Sequence, residues 1–132
     1  MADIRPGLKG TREIVVSAEH ATRHLSEQGA SEVLATPMMI WLMEETCHYT
    51  VRPYLGPGQQ TVGTLVCVKH LAATPLGMKV RAEAEVVEVD RRRVKFRIEA
   101  YDEKEKIGEG EHERFVVDME RFLAGLKKKV SA

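Results

Sequence analysis

Hydrophobic and polar positions follow two periods along this chain. In its second half they alternate: Val94, Phe96, Ile98 and Ala100 interleave with Arg93, Lys95, Arg97 and Glu99, as in a strand with one buried and one wet face. The same period predicts strands over 61–71, 80–89 and 107–117, with Val62, Thr64, Val66, Val68 and His70 on one face of the first. Thr74-Pro75-Leu76-Gly77 and Asp90-Arg91-Arg92-Arg93 supply the turns. A weaker alternation over 11–16 predicts a short opening strand, then a helical turn from Ser17 to His24 and a loop over 25–30. One segment obeys neither period. Met38 to Met43 is apolar at every position and predicts a helix from Pro37 to about Arg52, buried all round. Thr36 stands where an N-cap belongs and Pro37 at the first helical position, while Pro53 and Gly56-Pro57-Gly58 end the element. Asp118 opens a terminal helix with Met119, Phe122, Leu123 and Leu126 as its apolar stripe.

One long buried helix followed by four tightly connected strands predicts an α+β domain spanning 1–132, an antiparallel sheet wrapped around the helix. Such a sheet covers only part of an all-round apolar helix, so a second subunit is expected to supply the rest. The sequence leaves open whether dimers pair further into tetramers.

Composition narrows the function. The chain has 132 residues, enough for one core. Lys plus Arg and Asp plus Glu are 20 each, so no net field points to nucleic acid or an anionic membrane. The segment Met1 to Gly10 lacks the apolar core of a signal peptide, and no apolar run approaches the roughly 20 residues of a membrane span. Cys47 and Cys67 are isolated in apolar runs and read as buried small hydrophobes in a reducing compartment. A cytoplasmic protein without a metal site is expected.

Polar residues on faces that should be apolar are the candidates for chemistry. Glu44 closes the apolar run, where an unpaired carboxylate costs several kcal/mol. It is either a working acid or a residue at the helix rim reaching water beside Glu45 and Thr46. His70 shares a face with Val66 and Val68, either as a hydrogen-bonded core histidine or as a proton shuttle. In the last strand Glu109, Glu111 and Glu113 are in phase and must face water, which turns His112 and Arg114 inward beside Gly108 and Gly110. Arg114 then either ties the sheet to a carboxylate or meets a ligand. Thr36 is a helix cap or, at the positive end of a helix dipole, a group that meets a developing anion. Together these residues supply a hydroxyl, a base and a carboxylate. Other features read blandly. His20 and His24 lack metal-ligand spacing, and His48 follows Glu44 at i+4 and can pair with it. Arg91-Arg92-Arg93 is a solvated turn or a phosphate clamp, and Lys127-Lys128-Lys129 suits a helix C-terminus.

The run Ala35-Thr36-Pro37-Met38-Met39-Ile40-Trp41-Leu42-Met43-Glu44, with its Thr eight residues before a Glu, resembles the helix segment of the fluoroacetyl-CoA thioesterase group of hotdog proteins. The similarity continues through Pro53-Tyr54-Leu55, Gly63-Thr64, Cys67-Val68-Lys69-His70-Leu71-Ala72-Ala73-Thr74-Pro75-Leu76-Gly77 and Ile107 to Arg114. The resemblance implies a hotdog fold and a homodimer with active sites at the subunit interface. It also implies an acyl-CoA substrate, in which coenzyme A is part of the substrate and no cofactor is needed. It carries catalytic roles onto Thr36, Glu44 and His70, and substrate-binding roles onto Gly63, through its backbone amide near the thioester carbonyl, and Arg114. The fluoroacetate-specific member has a longer, phenylalanine-bearing lid before the Thr. Here Leu25 to Glu32 carries no aromatic residue, so a short-to-medium acyl-CoA hydrolase with little preference for fluoroacetyl over acetyl is expected. The rival readings are a hotdog enoyl-CoA hydratase or dehydratase and a non-catalytic acyl-CoA-binding dimer.

Overall fold

The computed structural model describes residues 3–131; Met1 and Ala2, which open the polar N-terminal segment, and Ala132 lie outside them. Five strands form one antiparallel sheet in the order β1-β3-β4-β5-β2. They are β1 (Lys9–Val15), β2 (Gln59–His70), β3 (Lys79–Asp90), β4 (Arg93–Tyr101) and β5 (Lys106–Asp118). Helix α1 (Thr36–Val51) lies between β1 and β2 in sequence, and α2 (Met119–Val130) follows β5. This is the hotdog arrangement, one long helix held in the curl of a sheet. Among the described residues no helix is long and apolar enough to cross a membrane.

The core forms where the two periods meet. Met39, Leu42, Met43, Cys47 and Val51 of α1 are buried against Val80, Ala82, Ala84 and Val86 of β3 and Val94, Phe96, Ile98 and Ala100 of β4. Each fully buried large aliphatic or aromatic side chain here contributes about 1.5–3 kcal/mol. The facing alanines leave room for the helix to settle close to the sheet. On the opposite face the in-phase glutamates are held by cations across the strands. Arg93 pairs with Glu113, Lys95 with Glu111, and Lys106 with both Glu99 and Glu109. Arg92 and Arg93 of the hairpin are likewise occupied, with Asp118 and with Glu88, respectively, which weakens the phosphate-clamp reading of that turn.

The sheet covers only part of α1, as expected: Pro37, Trp41 and Tyr49 are exposed, and Ile40, Glu44, Glu45 and His48 are half-buried. Two expectations are corrected. Cys47 is buried but Cys67 is exposed, because β2 is an edge strand with β5 on one side and, among the described residues, no strand on the other. The single face drawn through Val62 to His70 is interrupted by a register shift between Gly63 and Leu65. Beyond the shift Val66, Val68 and His70 oppose His112, Gly110 and Gly108. Before it, Thr61 and Gly63 oppose Val116 and Arg114. Residues directly opposite share a face. The extra residue therefore places odd-numbered Gly63 and even-numbered His70 on the same inner face, as a β-bulge does.

Candidate active site

The candidate residues fall into two groups at opposite ends of β2. At one end Thr36 meets His70. Ala35 is the N-cap of α1 and Thr36 its first residue, so the Thr36 hydroxyl is not used as a cap. Its Oγ1 lies 2.7 Å from His70 Nδ1. The segment after His70 is held beneath the helix start by backbone bonds from Leu71 to Ile107 and from Leu34 to Thr74. The buried Thr74 hydroxyl donates to Asp102, 2.9 Å away. These contacts explain locally why an Ala-Ala-Thr-Pro run follows the histidine: small residues and a turn tuck the chain under α1. Burial lowers the His70 pKa from its ordinary 6.5, an effect opposed by the Ala72 backbone. His70 is therefore a neutral imidazole near pH 7, able to take a proton. Its Nε2 is buried and has no hydrogen-bond partner among the described residues. The pair borders an open cleft of about 340 Å³ lined by Thr22, Val33, Leu71 and Ala73.

At the other end Glu44 meets Arg114. The glutamates of β5 do face water, and His112 and Arg114 are buried, 1% and 8% exposed. Arg114 donates through Nε to Thr61 Oγ1 (2.7 Å), through Nη2 to Thr61 O (3.0 Å) and through Nη1 to His112 Nε2 (3.0 Å). The same Nη1 is 3.5 Å from Glu44 Oε2. His112 Nδ1 donates to the Leu65 carbonyl at 2.7 Å, which fixes its tautomer and leaves Nε2 as the acceptor for the arginine. Burial first, and then Arg114, lower the His112 pKa and keep the ring neutral, while the Leu65 contact and Glu44 oppose the shift. The Glu44 side chain is 39% exposed, so the carboxylate sits at the rim of the helix and not inside an apolar core. His48 does not pair with it; its Nδ1 is 2.6 Å from Thr61 Oγ1. Gly63 borders this group closely: a Cβ there would lie 3.1 Å from Glu44 Oε2 and 3.2 Å from His112 Cε1. Trp41, Glu44, Glu45, His48, Gln60, Thr61 and Arg114 line a second open cleft, of about 190 Å³.

The sequence-predicted residues are thus brought together as two sets, Thr36 with His70 and Glu44 with Gly63 and Arg114. Thr36 and Glu44 are eight residues apart on one helix, a rise of about 12 Å. In this chain the Glu44 carboxylate is turned to Arg114, and His70 Nε2 has no partner among the described residues. Sequence reasoning overlooked Thr61, the acceptor at the centre of the second set. Its only cue was an in-phase hydroxyl beside Gly63, too common a pattern to single out.

Residues 16–120 match the model of the fluoroacetyl-CoA-specific thioesterase family. The fluoroacetyl-CoA thioesterase of Streptantibioticus cattleyicolor is 40% identical over 134 residues, which cover 98% of this chain and 96% of that protein. A solved structure of a fluoroacetyl-CoA thioesterase superposes with a TM-score of 0.88 at 39% identity, over 96% of this chain and 98% of the other. A thioesterase superfamily member from Thermus thermophilus gives a TM-score of 0.88 at 30% identity, over 97% of this chain and 94% of its own. The chain belongs to the fluoroacetyl-CoA-specific thioesterase family and is by class a thioester hydrolase.

Proposed function

We propose that this family member hydrolyses short-to-medium acyl-CoA thioesters, at sites each assembled from Thr36 and His70 of one protomer and the partner's Glu44. The observation that carries this reading is the 2.7 Å contact between Thr36 Oγ1 and His70 Nδ1, a hydroxyl set against a neutral imidazole. The other ring nitrogen is buried without a partner among the described residues, and it is there that an orienting carboxylate belongs in such a constellation.

The dimer supplies that carboxylate. The free edge of β2 exposes Leu65 and Val66, each more than 40% accessible, beside the open face of α1. An apolar edge strand of this length is a template for pairing. Antiparallel pairing of β2 with its copy reverses the strand, so that the Gly63 end of one protomer approaches the His70 end of the other. With the two-fold axis between Val66 and Cys67, His70 stands opposite the partner's Gly63. The partner's Glu44, which borders that glycine, then comes within reach of His70 Nε2.

In the reaction His70 takes the Thr36 hydroxyl proton as Oγ1 attacks the thioester carbonyl. The N-terminal backbone of α1 and the partner's Gly63 amide face the oxyanion. Collapse breaks the C–S bond, and His70 returns the proton to the departing CoA thiolate. Water then attacks the acyl-threonine ester, with His70 taking its proton and the partner's Glu44 stabilising the imidazolium, and His70 returns that proton to Thr36 Oγ1 as the ester C–O bond breaks. Acid and CoA leave, and no cofactor takes part.

Incubation of the protein with a mixture of acyl-CoAs, followed by mass spectrometry, tests the activity. Free CoA and acid are expected; hydrated acyl-CoA or unchanged substrates support the hydratase or the binding dimer instead. Intact-protein mass after rapid mixing should show an acyl adduct at Thr36. Without an aromatic lid, selection rests on fit in an apolar pocket, which reaches about 1–3 kcal/mol per methylene-sized change. Fluoroacetyl-CoA and acetyl-CoA competed in one tube should therefore differ little in kcat/KM. A preference above roughly a thousandfold exceeds what fit supplies and would overturn this substrate range.

A further inference from the structure

Beyond the residues that resemblance or family supplies, one hydrogen-bonded chain ends on Glu44 and begins at a histidine that nothing above has used. Thr61 Oγ1 accepts the Arg114 Nε–H at 2.7 Å, so the hydroxyl proton is directed elsewhere. The atom it faces is His48 Nδ1, 2.6 Å away. Arg114 donates and cannot accept, and the hydroxyl has one proton to give. With its second lone pair Thr61 Oγ1 could take a proton from Nδ1 as well; the relay requires the other tautomer, in which His48 accepts through Nδ1 and carries its own proton on Nε2. In that tautomer donation runs from Thr61 to His48, while Arg114 donates to Thr61, to His112 and towards Glu44.

We infer that His48 and Thr61 are positioning residues, which hold the Arg114 guanidinium in the one orientation that presents Nη1 to Glu44 and thereby set where that carboxylate points. This deepens the site proposed above and rests on Glu44 working there. Arg114 is a planar fork whose Nε, Nη1 and Nη2 are all engaged, so an acceptor at Thr61 sets the rotation of the whole group. Nη1 is the nitrogen with the longest contact, 3.5 Å to Glu44, so a small rotation decides whether it is made. His48 lies three layers from the reacting atoms and acts only through this chain.

The charged surroundings of His48 keep the relay in its accepting form. Burial and the cations Arg114 from β5 and Arg52 beyond α1 lower its pKa from 6.5, opposed by Glu45 on its own helix. The β2 residues at the cleft, Gln60 and Thr61, are neutral, and Tyr49 packs edge-on against the ring. When His48 does protonate, Nδ1 ceases to accept and a second cation stands beside Arg114. The Nδ1–H then competes with Arg114 Nε–H for the Thr61 hydroxyl oxygen, and the hold on Arg114 loosens.

The test is made on the full-length protein with acetyl-CoA as probe, by kinetics and imidazole NMR. Long-range 1H–15N spectra should show wild-type His48 as the Nε2–H tautomer; the Nδ1–H tautomer would overturn the relay without any variant being made. His48→Leu removes the acceptor, and kcat/KM should fall by about tenfold, the lower end for loss of an outer partner that orients a working group. His48→Asn places Oδ1 where Nδ1 was, so it should restore most of that loss at neutral pH and flatten the part of the acid limb due to His48. Thr61→Val should fall at least as far as His48→Leu, and the double variant no further than Thr61→Val alone. Equal activity per folded molecule in His48→Leu, His48→Asn and wild type would reduce His48 to a packing residue. Multiplying losses in the double variant would equally dissolve the relay. Failure of the parent reading is separate: it shows as full activity in Thr36→Ala, His70→Ala and Glu44→Gln, whatever His48 does.

Discussion

Replacing Gly63 by alanine adds one methyl group at the point where the Glu44, His112 and Arg114 side chains converge. The Cβ would stand 3.1 Å from Glu44 Oε2, 3.2 Å from His112 Cε1 and 3.4 Å from Arg114 Nη1. Ordinary contact begins near 3.4 Å, so Glu44 must withdraw by at least about 0.3 Å and His112 by about 0.2 Å. His112 is locked by Leu65 and Arg114, so the half-exposed carboxylate gives way. It moves by turning about its torsions, which carries its oxygens about half an ångström. A 1 Å misplacement costs about a hundredfold, so about tenfold in kcat/KM is expected. Stability should hardly change. The crowding costs roughly 0.5–1.5 kcal/mol in displaced rotamers, and the loss of glycine freedom in the unfolded chain returns about 0.4–1 kcal/mol. For a chain of this size the net leaves Tm within about 4 °C of wild type. CoA thiol release measured against acetyl-CoA, with thermal melts on the same preparations, decides it. Activity within twofold of wild type would show that the placement of Glu44 beside Gly63 does not matter to turnover. A collapse of Tm would show that the glycine serves the sheet. Gly125→Ala is the matched control: the site in α2 has open space around it, so the change should add about 0.5–1 kcal/mol and leave activity unaltered.

Glu44→Gln keeps the shape and removes the charge; turnover should drop by orders of magnitude, up to the roughly 10⁴ of a triad carboxylate. Its Tm should barely move, since a half-exposed ion pair contributes at most about 1 kcal/mol. His70→Ala should abolish most turnover and remove the acid limb governed by that histidine; a wild-type rate in this variant would exclude the residue. Stability itself should fall on acidification. His48, His70 and His112 all have folded pKa values below their ordinary 6.5, so the unfolded chain binds more protons and stability, present above pH 6.5, is lost as pH falls through the folded values. Melts from pH 8 to 5 measure it, and a Tm rising towards pH 5 would contradict the sign.

The order of elements was legible because each carries its own period: the alternation of β4 and the unbroken apolar run of α1 needed no partner to be read. The inward turn of His112 and Arg114 was legible for the same reason, since three in-phase glutamates leave the neighbouring positions no other face. What escaped was set by position in the assembled sheet. Nothing marks Thr64 as the extra residue of a bulge, yet it decides that Gly63 and His70 share a face. Cys67 and Val66 look like core by composition and are exposed because β2 is an edge. Thr36 before Pro37 reads as a cap; the helix begins one residue earlier than that pattern predicts, which frees the hydroxyl for His70. Glu44 seemed buried because its neighbours in sequence are apolar, but they alternate between the face on the sheet and the face left open.

That open face gives the division of the site its physical sense. A hydroxyl and imidazole at the start of α1 and a carboxylate more than two turns later do not meet in this chain, because the helix spaces them by about 12 Å. Both halves lie along one open stripe of the helix. Two-fold pairing along β2 reverses one stripe against the other, and a single interface then completes two sites at once, since an isologous contact repeats every pairing. The same pairing would cover Leu65, Val66 and Trp41, apolar groups that a lone chain leaves more than 40% exposed. Association and catalysis then draw on the same surface. Substitution of Val66 by Lys, which puts like charges across the axis, should therefore lower activity in proportion to the monomer it releases. Light scattering and turnover measured over one dilution series provide the check: a monomeric Val66→Lys protein with full activity would place the complete site within a single chain and refute the assembly.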